Sequence, residues 1–372
     1  MSKKILFIRP KPVPLANLKV GEFLADLFTD YDVQTLDILS TIRKRIDILI
    51  LNAFATIYHY GYDILFGHKS FTDAFWRTPF IFNFVKQLVR KSVDLKDCIF
   101  SFQMQSLFDC SLPDIPHFVY TDHTHLANLT YPSFDTRKLY PKKWIELEMQ
   151  IYINAQKIFV RSSNIKKSLV EQYKLPANKI NCVYAGHNTD LDLKLTEKKS
   201  YSNQNILFVG LDWKRKGGPD LVNAFKQLQF RHPRSTLTIA GATPKLNEPN
   251  IHVIGPVPLA DLITIYAAAD IFCLPTHLEP FGVVFLEAMQ ARLPIIGSNI
   301  GAIPDFIEDG WNGFLIEPGD ITGLTDALSK LVADPELCRL FGERNFALSQ
   351  TKYSWNAVGK TIHNYILESI KL

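Results

Sequence analysis

Residues 270–290 read DIFCLPTHLEPFGVVFLEAMQ. Asp270–Leu274 is a short apolar run of strand character, and the apolar residues after Gly282 return at helical spacing. Between them lie Pro275 and Pro280, which interrupt regular structure. Glu279 stands just before the helical part and Glu287 inside it. On one continuous helix, eight positions turn through about 80°, so the two carboxylates would not share a face. A helix that starts near Gly282 leaves Glu279 in a loop at its N-terminus and turns Glu287 inward, about a turn and a half along.

The same unit recurs along the chain. Apolar runs of strand length fall at Ile5–Ile8, Cys98–Phe102, Phe118–Thr121, Lys157–Val160, Asn181–Tyr184, Ile206–Val209, Thr236–Ile239, His252–Ile254, Asp270–Leu274, Pro294–Ile296 and Gly313–Ile316. Helical segments such as Asp220–Phe230 and Leu259–Ala268 lie between them. Alternating strands and helices make parallel sheets covered on both faces, an α/β fold. The chain has 372 residues, of which 47% are hydrophobic. That length favours two domains, each with its own core. Composition turns polar over residues 188–204. The expected division is therefore 1–190, 191–352 and a last helical segment, 353–372.

A net charge of +4 is mild: it allows an anionic ligand but does not point to a duplex-binding protein, which shows a denser basic face. The five cysteines form no Cys-x-x-Cys pair and read as thiols of a reducing, cytoplasmic compartment. No signal peptide is visible at Met1–Arg9. The longest apolar stretch, residues 46–66, contains Asp47, His59 and Asp63, which argues against a membrane span. Arg43, Lys44, Arg45, Lys86, Arg90 and Lys91 flank it, so peripheral contact with anionic lipid is one reading and helices packed inside a domain the other. The first turn, RPKPVPLANLKVG (residues 9–21), has no glycine before Gly21, which disfavours a dinucleotide site there.

Ligand chemistry concentrates in the second half. FVGLDWKRKGG (208–218) ends a strand at Gly210 and sets Lys214, Arg215 and Lys216 where cations neutralise a phosphate; a solvated basic turn is the bland alternative. The helix start at Gly282 exposes the N–H groups of Gly282, Val283 and Val284, with Thr276 and Phe281 beside them, an arrangement that binds phosphate. A glutamate beside an anion site makes sense when it accepts hydrogen bonds from neutral hydroxyls. Glu279 and Glu287 on either side of a phosphate site therefore suit a sugar nucleotide. Gly241 ends another strand at the same kind of edge. GAIPDFIEDGWNGFLIEPGD (301–320) is mostly scaffold, with Asp320 capping the next helix. In the first half, HFVYTDHTHL (117–126) ends a strand with Asp122, His123 and His125. Metal ligation and structural histidines are both open there.

At these residues the sequence resembles a family 4 retaining glycosyltransferase of the GT-B fold, over most of the chain and most strongly from about 145 to 360. The E-x7-E motif is Glu279 to Glu287 around Glu279-Pro280-Phe281-Gly282. Val209-Gly210 with Lys216-Gly217-Gly218, Gly301 with Pro304-Asp305, and Asn312-Gly313 with Pro318-Gly319-Asp320 are further matches. Ala155–Phe159 followed by Arg161-Ser162-Ser163 is similar to the family's strand-then-serine segment.

The resemblance implies two Rossmann-like domains whose parallel sheets face a central cleft, with the last helix returning to the first domain. It implies that Glu279 holds donor-sugar hydroxyls, Glu287 the ribose and Lys216 the diphosphate, over the Phe281–Val284 backbone. It matches His123 to a residue that hydrogen-bonds the donor sugar, with Arg161 or Ser162 nearby. The expected reaction is retaining transfer from a UDP-glucose-like or GDP-mannose-like donor to a sugar, lipid-linked or small polyol acceptor, without a metal or other cofactor and without nucleic acid. The chain departs from the family at Leu211, where an arginine is usual, and Lys214 or Arg215 is expected to replace that charge. Asn188 and Ala302 depart as well, and the glycine-rich loop after the first strand is absent. A sugar-nucleotide epimerase and an inactive binding module are the competing readings.

Overall fold

The computed structural model describes residues 3–13, 15–92, 96–188 and 199–370. The chain divides into two compact units. One comprises Met1–Thr130, Phe134–Tyr184 and Val358–Leu372; the other comprises Tyr131–Ser133 and Ala185–Ala357. The expected break at 190/191 lies outside the described residues.

The first unit is built on six parallel strands: β1 (Lys3–Arg9), β2 (Tyr31–Asp37), β3 (Cys98–Met104), β4 (His117–Thr121), β5 (Lys157–Val160) and β6 (Ile180–Cys182), in the order β2-β1-β3-β4-β5-β6. Strand β4 is buried along its whole length, and Ile5 to Ile8 of β1 are buried too. Strands covered by helices on both faces need such continuous apolar runs. The apolar-run reading omits one of the six, β2. Its residues YDVQTLD are half-buried or exposed throughout because it lies at the sheet edge beside β1. An edge strand covered on fewer sides needs no apolar run, so nothing in its sequence marks it. Its last residue, Asp37, accepts from Arg9 Nε at 2.6 Å.

The helix Trp355–Ile370 enters this unit from Val358 onward. Val358, Ile362 and Ile366 are buried, and the His363 ring lies 4.6 Å from that of Phe28. Gly359 lies against Phe23, where a Cβ would sit 3.1 Å from the ring.

The second unit repeats the plan with β7 (Asn205–Gly210), β8 (Thr236–Gly241), β9 (Ile251–Gly255), β10 (Ile271–Leu274), β11 (Ile295–Ser298) and β12 (Gly313–Ile316). All pairs are parallel and the order is β12-β11-β10-β7-β8-β9. From β7 the chain builds outward through β8 and β9, then crosses back to β10 and builds the other way. Strand order therefore reverses between β7 and β10, and ligands of open α/β sheets bind at such a switch point, outside the carboxyl ends of the strands. Among the described residues no helix is long and apolar enough to cross a membrane.

Candidate active site

The loops after β7 and β10 both emerge at this switch point, and glycines let them interlock. Gly217 has φ +73°, and a Cβ there would stand 1.8 Å from the Pro275 carbonyl oxygen. A Cβ on Gly218 would lie 2.1 Å from the Trp213 ring. The Arg215 carbonyl accepts from His277 N at 2.8 Å and from Thr276 Oγ1 at 3.0 Å. Arg215 itself bonds the Leu278 carbonyl at 2.8 Å and Asp212 at 3.1 Å. This knitting sets Lys216 against Glu279. Their side chains form an ion pair with exposures of only 12% and 7%.

Glu279 sits one turn of loop before Gly282. Gly282 caps the helix Val283–Gln290 in the left-handed region, φ +87°, and no side chain caps the helix start. Only glycine takes this conformation readily. A Cβ would also lie 2.9 Å from Phe285 and 3.1 Å from Glu279 Cγ. Gly301 approaches from the other side: its Cβ would be 2.2 Å from the Glu279 carbonyl oxygen. The 301–305 turn therefore buttresses the Glu279 backbone. The 312–320 segment is scaffold: Asn312 is buried and bonds Asn345, and Asp320 caps the helix Ile321–Ala333 through Gly323 N at 2.9 Å.

Glu287 lies within the helix and is buried. Tyr266 donates to it at 3.0 Å, and burial raises its pKa to about 7. A buried carboxylate without a donor would be costly, and Tyr266 supplies the donor. Sequence reading missed Tyr266, because only packing of the helix Leu259–Ala268 brings it to Glu287. Gly210 and Gly241 are register partners at the strand ends, and a Cβ on Gly241 would stand 2.7 Å from the Gly210 carbonyl. Lys214 is exposed, as is Leu211. Of the two cations offered in place of the missing arginine, Arg215 is engaged with the loop and Lys214 points to solvent.

His123 belongs to the first unit. It follows β4 and lines a polar cavity of about 700 Å³ together with Lys69, Arg77, Lys138, Tyr140, Trp144 and Glu148, among others. Its Nδ1 and the Trp144 Nε1 are buried without a hydrogen-bond partner among the described residues. Burial lowers the His123 pKa, so the ring is neutral at pH 7. The neighbouring histidines are structural. His125 Nε2 accepts from Tyr140 N at 2.7 Å while the His125 backbone N–H donates to Glu148 Oε1 at 3.0 Å, and burial takes the ring's pKa to about 3. His117 is buried between Ser101 and Gln103. The Asp122-His123-His125 segment forms no metal cluster; none exists among the described residues. Arg161 pairs with Asp122 at 3.3 Å and stacks on Tyr120, and Ser162 caps the helix Ser163–Glu171.

The sequence signature of the glycosyl transferases group 1 family matches residues 193–347. Residues 193–347 belong to that family. The fold of the chain is that of the GT-B glycosyltransferases, as its motifs imply. D-inositol 3-phosphate glycosyltransferase of Corynebacterium jeikeium is 29% identical over 276 residues, 66% of this chain and 65% of that protein. The chain thus spans just under two thirds of that relative. Among solved structures, sucrose-phosphate synthase of Thermosynechococcus elongatus superposes with TM-score 0.70 at 17% identity, over 98% of both chains. HepE of Anabaena, solved with UDP and glucose, gives TM-score 0.65 at 15% identity over 98% of this chain and 99% of that one. At these identities the two structures establish the fold.

Proposed function

We propose that this glycosyltransferase transfers a hexose, with retention, from a nucleoside diphosphate sugar to a hydroxyl acceptor. The buried Lys216–Glu279 pair at the β7/β10 switch point carries the reading. A diphosphate entering over the uncapped start of the helix Val283–Gln290 takes Lys216 as its counter-ion. Glu279 is then released to accept hydrogen bonds from sugar hydroxyls. Glu287, deeper along the same helix, accepts from the ribose, and the Gly210 and Gly241 strand ends leave room for backbone to approach the nucleotide.

In the reaction the bond from the anomeric carbon to the diphosphate oxygen breaks as the bond to the acceptor oxygen forms on the same face. The departing phosphate oxygen takes the acceptor proton. Lys216, with Lys214 or Arg215 in support, and the helix dipole stabilise the charge that builds on the leaving group. These groups neutralise the diphosphate without a metal ion. His123 offers its unpartnered Nδ1 to a sugar hydroxyl.

HepE was solved with UDP and glucose, which favours a UDP-glucose-like donor over a GDP-mannose-like one. The first unit's polar cavity, with Lys69, Arg77 and Lys138 on its wall, suits a polyol or sugar acceptor, and the Corynebacterium relative is named for an inositol phosphate. Incubation with radiolabelled UDP-glucose, GDP-mannose and related donors tests the reading. Slow hydrolysis or transfer that keeps the anomeric configuration supports it. An isomerised donor would mean an epimerase, and binding without turnover an inactive module.

A further inference from the structure

The helix Ile46–Leu65 presents its apolar side to solvent. At about 100° per residue, Ile46, Ile50, Phe54, Ile57, Tyr58 and Leu65 fall within one arc of the helical wheel. All six are exposed, Tyr58 by 85% and Leu65 by 80%. Leu51 and Tyr62, also exposed, widen that arc to about 160°. Of the four buried residues on the opposite arc, Ile48, Asn52, Thr56 and Tyr60, only Ile48 is purely aliphatic. A helix of a water-soluble domain normally has the reverse polarity.

The orientation is fixed by specific bonds. Asn52 Nδ2 donates to the Phe75 carbonyl at 2.6 Å, and Thr78 Oγ1 donates to Asn52 Oδ1. Thr56 Oγ1 donates to the Asn52 carbonyl at 2.7 Å, and Tyr60 donates to the Arg77 carbonyl at 2.6 Å. The Thr56 bond lies within the helix and turns with it, but rotating the apolar arc inward would strand Asn52, Thr78 and Tyr60, so the sequence commits the apolar side to something outside the unit.

Charge indicates what that is. Arg43 and Lys44, just before the helix, are exposed and have no carboxylate partner among the described residues. Asp47 is the one carboxylate on the apolar arc, and Arg45 neutralises it at 2.6 Å. Arg43 also rims an apolar groove of about 450 Å³ walled by Ile46, Ile50, Phe71 and Trp76. Cations at one end of an apolar arc that carries tyrosines match the anionic headgroup layer of a bilayer. Tyrosine rings favour that layer, and basic residues gain from its surface charge.

We infer that the helix Ile46–Leu65 lies in the plane of an anionic membrane surface and docks the first unit there. The chain rests on the membrane rather than crossing it, its apolar side chains at the depth where headgroups meet acyl chains. The inference does not depend on the donor reading above, and donor hydrolysis measured without membrane is its independent control.

Flotation of the full chain with vesicles tests it. Vesicles of equal parts phosphatidylcholine and phosphatidylglycerol should carry the protein up the gradient, and phosphatidylcholine alone should carry much less. The double variant Ile50→Ser, Phe54→Ser should lower partitioning more than about tenfold. Both positions are exposed, so its melting temperature and donor hydrolysis should match the parent's. Tyr58→Asp, at a still more exposed position, is the independent second variant. Arg43→Glu with Lys44→Glu should abolish the preference for anionic vesicles. A parent protein that stays soluble with both vesicle types overturns the inference. So does partitioning that neither apolar variant reduces, or a parent dimer that the double variant dissociates without any lipid binding.

Discussion

Lys216 and Glu279, 63 positions apart, meet as a buried ion pair at the point where strand order reverses in the second sheet. The two groups hold each other where a phosphorylated sugar would separate them. Removing one leaves the other charge buried and uncompensated, whereas removing both does not. Lys216→Ala and Glu279→Ala should each lower stability by about 1–3 kcal/mol, and the double variant by less than the sum. Thermal denaturation of the four proteins measures the coupling; strict additivity would mean the pair is loose. Each single variant should also lower turnover, Glu279→Ala by roughly 10²-fold or more.

The Glu287 carboxyl, raised by burial from 4.5 to about 7, makes stability pH-dependent in a definite direction. Between those values the folded chain holds a proton that the unfolded chain has lost. Stability contributed by this group is complete below pH 4.5 and declines as pH rises to about 7. Glu287→Gln keeps an acceptor for Tyr266 and removes the titration. The variant should gain about 1–3 kcal/mol over the parent at pH 8 and nothing at pH 4. Melting temperatures across that range decide it, and parallel profiles would rule it out. Nucleotide binding should weaken in the variant, and in the parent should strengthen as pH passes 7.

Gly282 holds a left-handed conformation with its missing Cβ directed at Phe285 and Glu279. Gly282→Ala should cost about 1–2 kcal/mol in backbone strain and push the Glu279 side chain out of place. The melting temperature should fall by several degrees and turnover by more than about tenfold. An unchanged turnover in a folded variant would show that the helix start does not position Glu279.

His123 is held neutral by burial, and its Nδ1 bonds nothing among the described residues. Removing such a ring sacrifices no native hydrogen bond at that atom. His123→Ala should therefore reduce turnover by roughly 10- to 10²-fold while shifting the melting temperature by little. Undiminished kcat and KM would place the residue outside the reaction.

The alternation of apolar runs and helical segments was enough to specify a parallel α/β architecture. The runs at Phe118–Thr121 and Asp270–Leu274 marked β4 and β10 to within one residue, because a central strand covered on both faces is a near-continuous apolar run. Strand β2 escaped for the converse reason: at a sheet edge, YDVQTLD pairs with β1 through backbone that any side chain permits. The motif residues Glu279, Glu287 and Lys216 could be picked out by type and spacing. Only the tertiary structure decided that Lys216 closes on Glu279, that Tyr266 supports Glu287 and that His125 is structural, since each of those contacts joins segments distant in the chain. Residues 46–66 show the division most sharply. Sequence marked the stretch as apolar with a basic start; three hydrogen bonds to neighbouring segments decided that its apolar arc faces outward. Composition determines how much apolar surface a segment carries, and the partners of its polar side chains determine which way that surface points.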